Sequence, residues 1–142
     1  MAENAWNQKT VEEFHAKNGR GIGPFGDHLL LMTARGMKSG EPITTPLVYH
    51  REDDHYVVAG SKSGAPDNPK WVANLRAHPE VEVEIAKDSG TERFKARARV
   101  IDSGPDRDRL YADHAKVWAP FRDYEKKTER TIPVVVLERL PS

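Results

Sequence analysis

Between Val81 and Val100 the chain alternates apolar and charged residues. Val81-Glu82-Val83-Glu84-Ile85 and Phe94-Lys95-Ala96-Arg97-Ala98-Arg99-Val100 flank an Asp88-Ser89-Gly90 turn. A period of two sends successive side chains to opposite faces of an extended strand, so each segment carries one apolar and one charged face. Strands of this kind belong in an antiparallel sheet with one face in water, whereas parallel sheets are buried on both faces. Three further segments read as strands: the apolar run His28 to Ala34, and the Thr-, Val- and Tyr-rich stretches Pro42 to His50 and His55 to Gly60. Turns fall at Gly36–Gly40 and at Glu52-Asp53-Asp54, and Ile132 to Leu137 closes the set as a compact apolar strand.

Three segments change period. Asn4 to Asn18 places Trp6, Val11 and Phe14 at helical spacing ahead of Gly19, and the glycine-rich stretch Gly19 to Gly26 that follows suits a flexible connector. Asp67 to His78 sets Trp71, Val72 and Leu75 at helical spacing, with Asp67 or Asn68 as cap, Pro69 in the first turn and Pro79 as terminator. Pro105 to Lys116 is helical in period and charge pattern. About six sequentially paired strands with flanking helices predict an α+β fold built on a small antiparallel barrel, whose closure removes exposed edges. Residues 1–27 read as a helix and connector, and 28–142 as the barrel domain.

The 142-residue length suits one core. Lysine plus arginine equals aspartate plus glutamate at 22 each, so no global field attracts nucleic acid, and no basic-aromatic stripe supports that partner. The absence of cysteine excludes thiolate chemistry and sulfur-ligated metals. The six histidines show no HxH or HxxxH spacing, and no metal site is expected. Without a signal-like start or a long apolar stretch, the sequence reads as an unprocessed cytoplasmic protein.

Three constellations carry chemistry. The Lys38-Ser39-Gly40 turn can aim backbone N–H groups and an ammonium at an anion, although such turns are also common as plain hairpins. Gly60 to Pro69 leaves a strand through small residues and enters the helix bearing Trp71 and Asn74, a strand-loop-helix arrangement that suits an anion or polar heterocycle but lacks P-loop or dinucleotide spacing. Trp118, Phe121 and Tyr124 recur at i, i+3 and i+6, with Pro120 breaking the helix between them, either as core or as a flat wall for a planar substrate. The run Glu125 to Arg130 reads as a solvated face.

Taken in order, Leu29-Leu30-Leu31-Met32-Thr33, Gly36-Met37-Lys38-Ser39-Gly40-Glu41-Pro42, Val57-Val58-Ala59-Gly60-Ser61-Lys62-Ser63-Gly64-Ala65, Asn68-Pro69-Lys70-Trp71 with Asn74-Leu75, His78-Pro79-Glu80-Val81 and Thr131-Ile132-Pro133-Val134-Val135-Val136 resemble the deazaflavin-dependent nitroreductase family, in its quinone and aflatoxin-type enone reductase branch. The resemblance covers about residues 28 to 140. It implies a split β-barrel related to FMN-binding flavin reductases, coenzyme F420 as hydride carrier, and electron-poor acceptors such as quinones, enones, lactones and nitro compounds. By motif, Lys38, Ser39 and Gly40 would meet the phosphate and polyglutamate tail. Ala59, Ser61, Lys62, Trp71 and Asn74 would surround the phosphate, ribityl chain and ring. Trp118, Phe121 and Tyr124 would line the substrate side, with Tyr124 and Ser61 as catalytic hydroxyls.

Met37 and Ile43 stand where the family pattern carries arginines, and the loss of one charged hydrogen bond is worth roughly a ten- to hundredfold change in affinity. Arg35 is the nearest replacement. FMN in place of F420, and a non-catalytic F420 carrier, are the competing readings. For the N-terminal segment the alternatives are pocket closure, peripheral docking on a membrane surface and packing in a dimer, so the protein is expected as monomer or dimer.

Overall fold

The computed structural model describes residues 5–141, with the side chains of Ala5, Trp6 and Ser63 outside the description. The described chain orders as α1 (Ala5–Ala16), β1 (Leu29–Arg35), β2 (Pro42–Val48), β3 (His50–Glu52), β4 (His55–Ala59), α2 (Lys70–Ala77), β5 (Glu80–Lys87), β6 (Gly90–Ile101), α3 (Pro105–Val117), α4 (Pro120–Lys127) and β7 (Val134–Arg139). Asn4 and the Trp6 side chain, expected in the first helix, lie outside the described residues.

All seven strands join one sheet in the order β2-β1-β5-β6-β7-β4-β3, with every neighbouring pair antiparallel. The expected count of about six rises by one because the Pro42 to His50 strand divides at Tyr49. Val48 pairs with Leu29 on one margin, and His50 pairs with Val57 on the other. Between them Tyr49 donates its N–H to the His28 carbonyl at 2.9 Å. Because the two outermost strands are consecutive in the chain, the sheet must curl until its margins approach, which produces the split barrel.

Alternation assigns the core. Leu30, Met32, Tyr56, Val58, Val81, Val83, Phe94, Ala96, Val135 and Leu137 point inward into one cluster. Their neighbours Leu29 and Leu31 face outward and are covered by Phe14 and Val11 of α1. Val57, Val134 and Val136 are covered by Leu110, Tyr111 and Phe121 of α3 and α4. The continuous apolar runs in β1, β4 and β7 thus mark strands buried on both faces. The alternating runs of β5 and β6 keep a charged outer face where Glu82 opposes Lys95 and Glu84 opposes Arg93.

The antiparallel order also fixes what each barrel end presents. The ends of β1, β4 and β6 and the starts of β2, β5 and β7 share one rim. That rim therefore collects the 36–41 turn, residues 60–69 with α2, and residues 128–133. Helix α2 closes it, driving Leu75 and part of Trp71 into the interior cluster. Asp67 and Asn68 do not cap α2: Pro69 occupies the N-cap without a side-chain bond.

Candidate functional site at one barrel rim

The β1–β2 turn is built by its own backbone. Gly40 N–H bonds the Gly36 carbonyl at 2.9 Å, and Ser39 Oγ accepts from the Glu41 amide at 3.1 Å. A Cβ on Gly36 would stand 2.6 Å from Ser39 Oγ, so a larger residue there would displace the Ser39 hydroxyl from its place in the turn. This leaves Lys38 exposed at the tip, with no ion-pair partner among the described residues. Asn74 Oδ1 accepts the Met37 N–H at 2.8 Å, joining the turn to α2. Met37, beside Lys38 in the turn, is 48% exposed.

The second arm leaves β4 at Ala59. Gly60 packs between Val72 and Pro133 and donates its N–H to the Pro133 carbonyl at 2.9 Å. Ser61 is buried and Lys62 exposed, the latter with a left-handed φ of 47°. Lys62 Nζ stands 3.5 Å from Asp67 Oδ2, an open surface pair of small energetic weight. A 3-10 turn over Lys62–Gly64 then meets α4: a Cβ on Gly64 would fall 2.9 Å from both Tyr124 O and Lys127 Cβ. Tyr124 is thereby set beside the loop that carries Ser61.

The three aromatics share one apolar cluster, in which Phe121 is buried and Trp118 and Tyr124 are partly buried against it. α3 ends at Val117 and Pro120 opens α4, so the helix breaks between Trp118 and Phe121 without taking them out of the shared cluster. Trp118 packs on Phe25, with ring centroids 4.9 Å apart. Phe121 is a core side chain, 6% exposed, with its ring centroid 4.4 Å from that of His114. Tyr124 meets Phe121 edge-on and keeps partial exposure.

The run 125–130 is solvated at Glu125, Lys126, Lys127 and Glu129, as expected, and is also anchored through Glu125 and Arg130. Glu125 pairs at 2.9 Å with Arg107, a nearly buried guanidinium that also donates to the Ile132 carbonyl at 2.8 Å. Arg130 reaches into the 60–68 loop, donating to Ala65 O at 2.8 Å, Asn68 Oδ1 at 2.6 Å, Ser61 O at 2.9 Å and Gly60 O at 3.2 Å. Charge pattern alone could not reveal this, because the acceptors are mostly backbone carbonyls some 65 residues away in the chain.

Elsewhere, His50, Glu52 and Asp113 bring one ligand-capable atom each within 4.8 Å of one another. Both carboxylates already face cations, Glu52 with Arg109 at 2.5 Å and Asp113 with Lys116 at 3.3 Å. His50 Nδ1 meets Nδ1 of the fully buried His114 at 2.9 Å. Burial and the adjacent His50 push His114 down to about 3. Histidine spacing gave no hint of this group, since its members come from β3 and α3.

A curled antiparallel half-barrel of seven strands with four helices is the split-barrel architecture found in flavin and deazaflavin reductases. The chain matches the F420H(2)-dependent quinone reductase family over residues 5–139, and it belongs to that family. An F420H(2)-dependent quinone reductase of Mycobacterium tuberculosis is 34% identical over 137 residues, spanning 89% of this chain and 85% of the relative. Among solved structures, an F420-H2 dependent reductase aligns with a TM-score of 0.68 at 31% identity over 78% of this chain and 94% of its own. A chain described as a domain-swapped dimer aligns at 0.71 and 28% identity, covering 94% of this chain and 97% of that one. The protein is accordingly an F420H2-dependent oxidoreductase. Among the described residues no helix is long and apolar enough to cross a membrane.

Proposed function

We propose that the protein reduces quinones with F420H2, and that the barrel rim formed by the 36–41 turn, the 60–69 loop and α2 holds the cofactor. The observation that carries this reading is that α2 connects two lysine-bearing segments from distant parts of the chain, the Lys38 turn and the Lys62 loop. Lys38 reaches it through the Met37–Asn74 bond, and Lys62 lies on the loop that leads into it. The donor set suits a ligand bearing phosphate and carboxylates. Lys38 has no competing carboxylate among the described residues, and the Lys62–Asp67 pair is exposed enough to exchange partners.

Lys38, Ser39 and Gly40 grip the anionic end; Ala59, Ser61, Lys62 and Asn74 flank the middle, and Trp71 backs the ring. The chemistry supplied by bound reduced F420 is hydride delivery. Tyr124, beside Gly64, and Ser61, on the same loop, offer hydroxyls to the quinone oxygen as negative charge develops there. Trp118 borders the acceptor from the far side of the α3–α4 break, while Phe121 supports Tyr124 from beneath. Enones, lactones and nitro compounds share the electron-poor π-system and form the wider acceptor class.

The test follows oxidation of F420H2 by purified protein with menadione, beside titrations with F420 and FMN. Saturable turnover and F420 binding are expected. Tight FMN binding without F420 binding would replace the cofactor assignment, and F420 binding without turnover on a broad acceptor panel would make the protein a carrier.

A further inference from the structure

We infer that Arg130 is a positioning residue that sets the shape of the proposed cofactor loop. The inference rests on the reading above that residues 60–68 hold F420. Four acceptors, Gly60 O, Ser61 O, Ala65 O and Asn68 Oδ1, span the loop from its exit out of β4 to its approach to α2, and one guanidinium meets all of them. Apart from a single 3-10 turn the loop has no ladder of its own, and Lys62 holds a left-handed φ of 47° that a non-glycine residue adopts at a cost. Something outside the loop must therefore fix it.

Arg130 is suited to this for three reasons. Its planar fork presents several N–H donors in fixed directions, so the acceptors are held at defined angles to one another, which a lysine ammonium cannot reproduce. Its base is rigid. Gly60 N–H bonds the Pro133 carbonyl at 2.9 Å, and Arg107 bonds the Ile132 carbonyl at 2.8 Å, pinning the segment that carries Arg130 at both strand and helix. Its bonds also leave the Ser61 hydroxyl and the Lys62 ammonium out of the clamp, because Ser61 is engaged only through its carbonyl. Arg130 thus holds the loop while the groups assigned to ligand contact stay available. In the family-resembling turn Met37 and Ile43 supply no charge, which leaves the second arm, shaped by Arg130, to carry more of the grip.

The experiment compares wild type with Arg130→Lys and Arg130→Ala, and with Val83→Ala as a variant that loses stability in the barrel interior away from the loop. Three quantities are read: hydrogen–deuterium exchange of peptides covering 60–68 without cofactor, the F420 dissociation constant, and the menadione KM. Arg130→Lys is expected to fold, to exchange faster across 60–68 while β5 to β7 keep their protection, and to bind F420 about 10- to 100-fold more weakly at unchanged menadione KM. Val83→Ala should lower Tm without either local effect. If Arg130→Lys exchanges like wild type across 60–68, or if its loss of affinity is matched by Val83→Ala at equal loss of Tm, the positioning role is overturned. Should wild type itself not bind F420, the functional reading fails, and the exchange data alone decide whether Arg130 shapes the loop.

Discussion

Asn74 Oδ1 accepts the backbone N–H of Met37 at 2.8 Å, and this bond carries the lysine turn against α2. An asparagine on a helix here serves a turn 37 residues earlier in the chain. The bond is exposed, so it adds about 0.5–1.5 kcal/mol at most to stability, yet it decides where Lys38 stands. Asn74→Ala should leave the Tm within a few degrees of wild type and weaken F420 binding several-fold. Cofactor titration beside a thermal melt measures both, and an unchanged dissociation constant would detach the turn from the site.

The two lysines should be felt through salt. Lys38→Ala and Lys62→Ala are each expected to weaken F420 binding about tenfold at low ionic strength, with the gap to wild type narrowing as salt screens the attraction. Dissociation constants in low salt and at about 1 M salt, where the Debye length is about 3 Å, check this. A gap that is the same at both salts would argue for a non-electrostatic role.

Tyr124 touches the loop through its backbone and keeps its ring partly exposed, so its hydroxyl can be removed with little repacking. Tyr124→Phe should lower kcat with menadione by about 10- to 100-fold, toward the lower end of general-acid effects, and leave F420 affinity nearly unchanged. Wild-type turnover in this variant would assign the proton to solvent or to Ser61.

Acid should unfold the protein through His114. In the folded state burial and His50 hold it at about 3, against an ordinary value of 6.5. The unfolded chain therefore binds a proton between those values that the folded chain does not, and stability falls as pH drops through 6.5 toward 3. His50, also lowered by burial, acts in the same direction. Between pH 7 and pH 5 the loss from His114 alone is about 2 kcal/mol. Urea unfolding at the two pH values should show it, and His114→Leu should flatten the dependence. An equal slope in that variant would place the acid sensitivity elsewhere.

Local rules carried much of the way. The two-residue period of Val81 to Ile85 and Phe94 to Val100 gave β5 and β6 and the charged face that they share, since alternation needs no partner to be read, but not that Glu84 on that face is buried against His15 of α1. The glycines of the Lys38 turn and the small residues after Ala59 marked both arms of the proposed site, because tight backbone turns leave a compositional trace. Only the folded chain decided the rest. Tyr49 divides a strand whose residues look uniformly extended, because barrel closure is a matter of which edges meet. Arg130, one cation in a polar run, becomes the brace of the 60–68 loop because its acceptors are backbone carbonyls, which every sequence possesses and none distinguishes until the chain has brought them together.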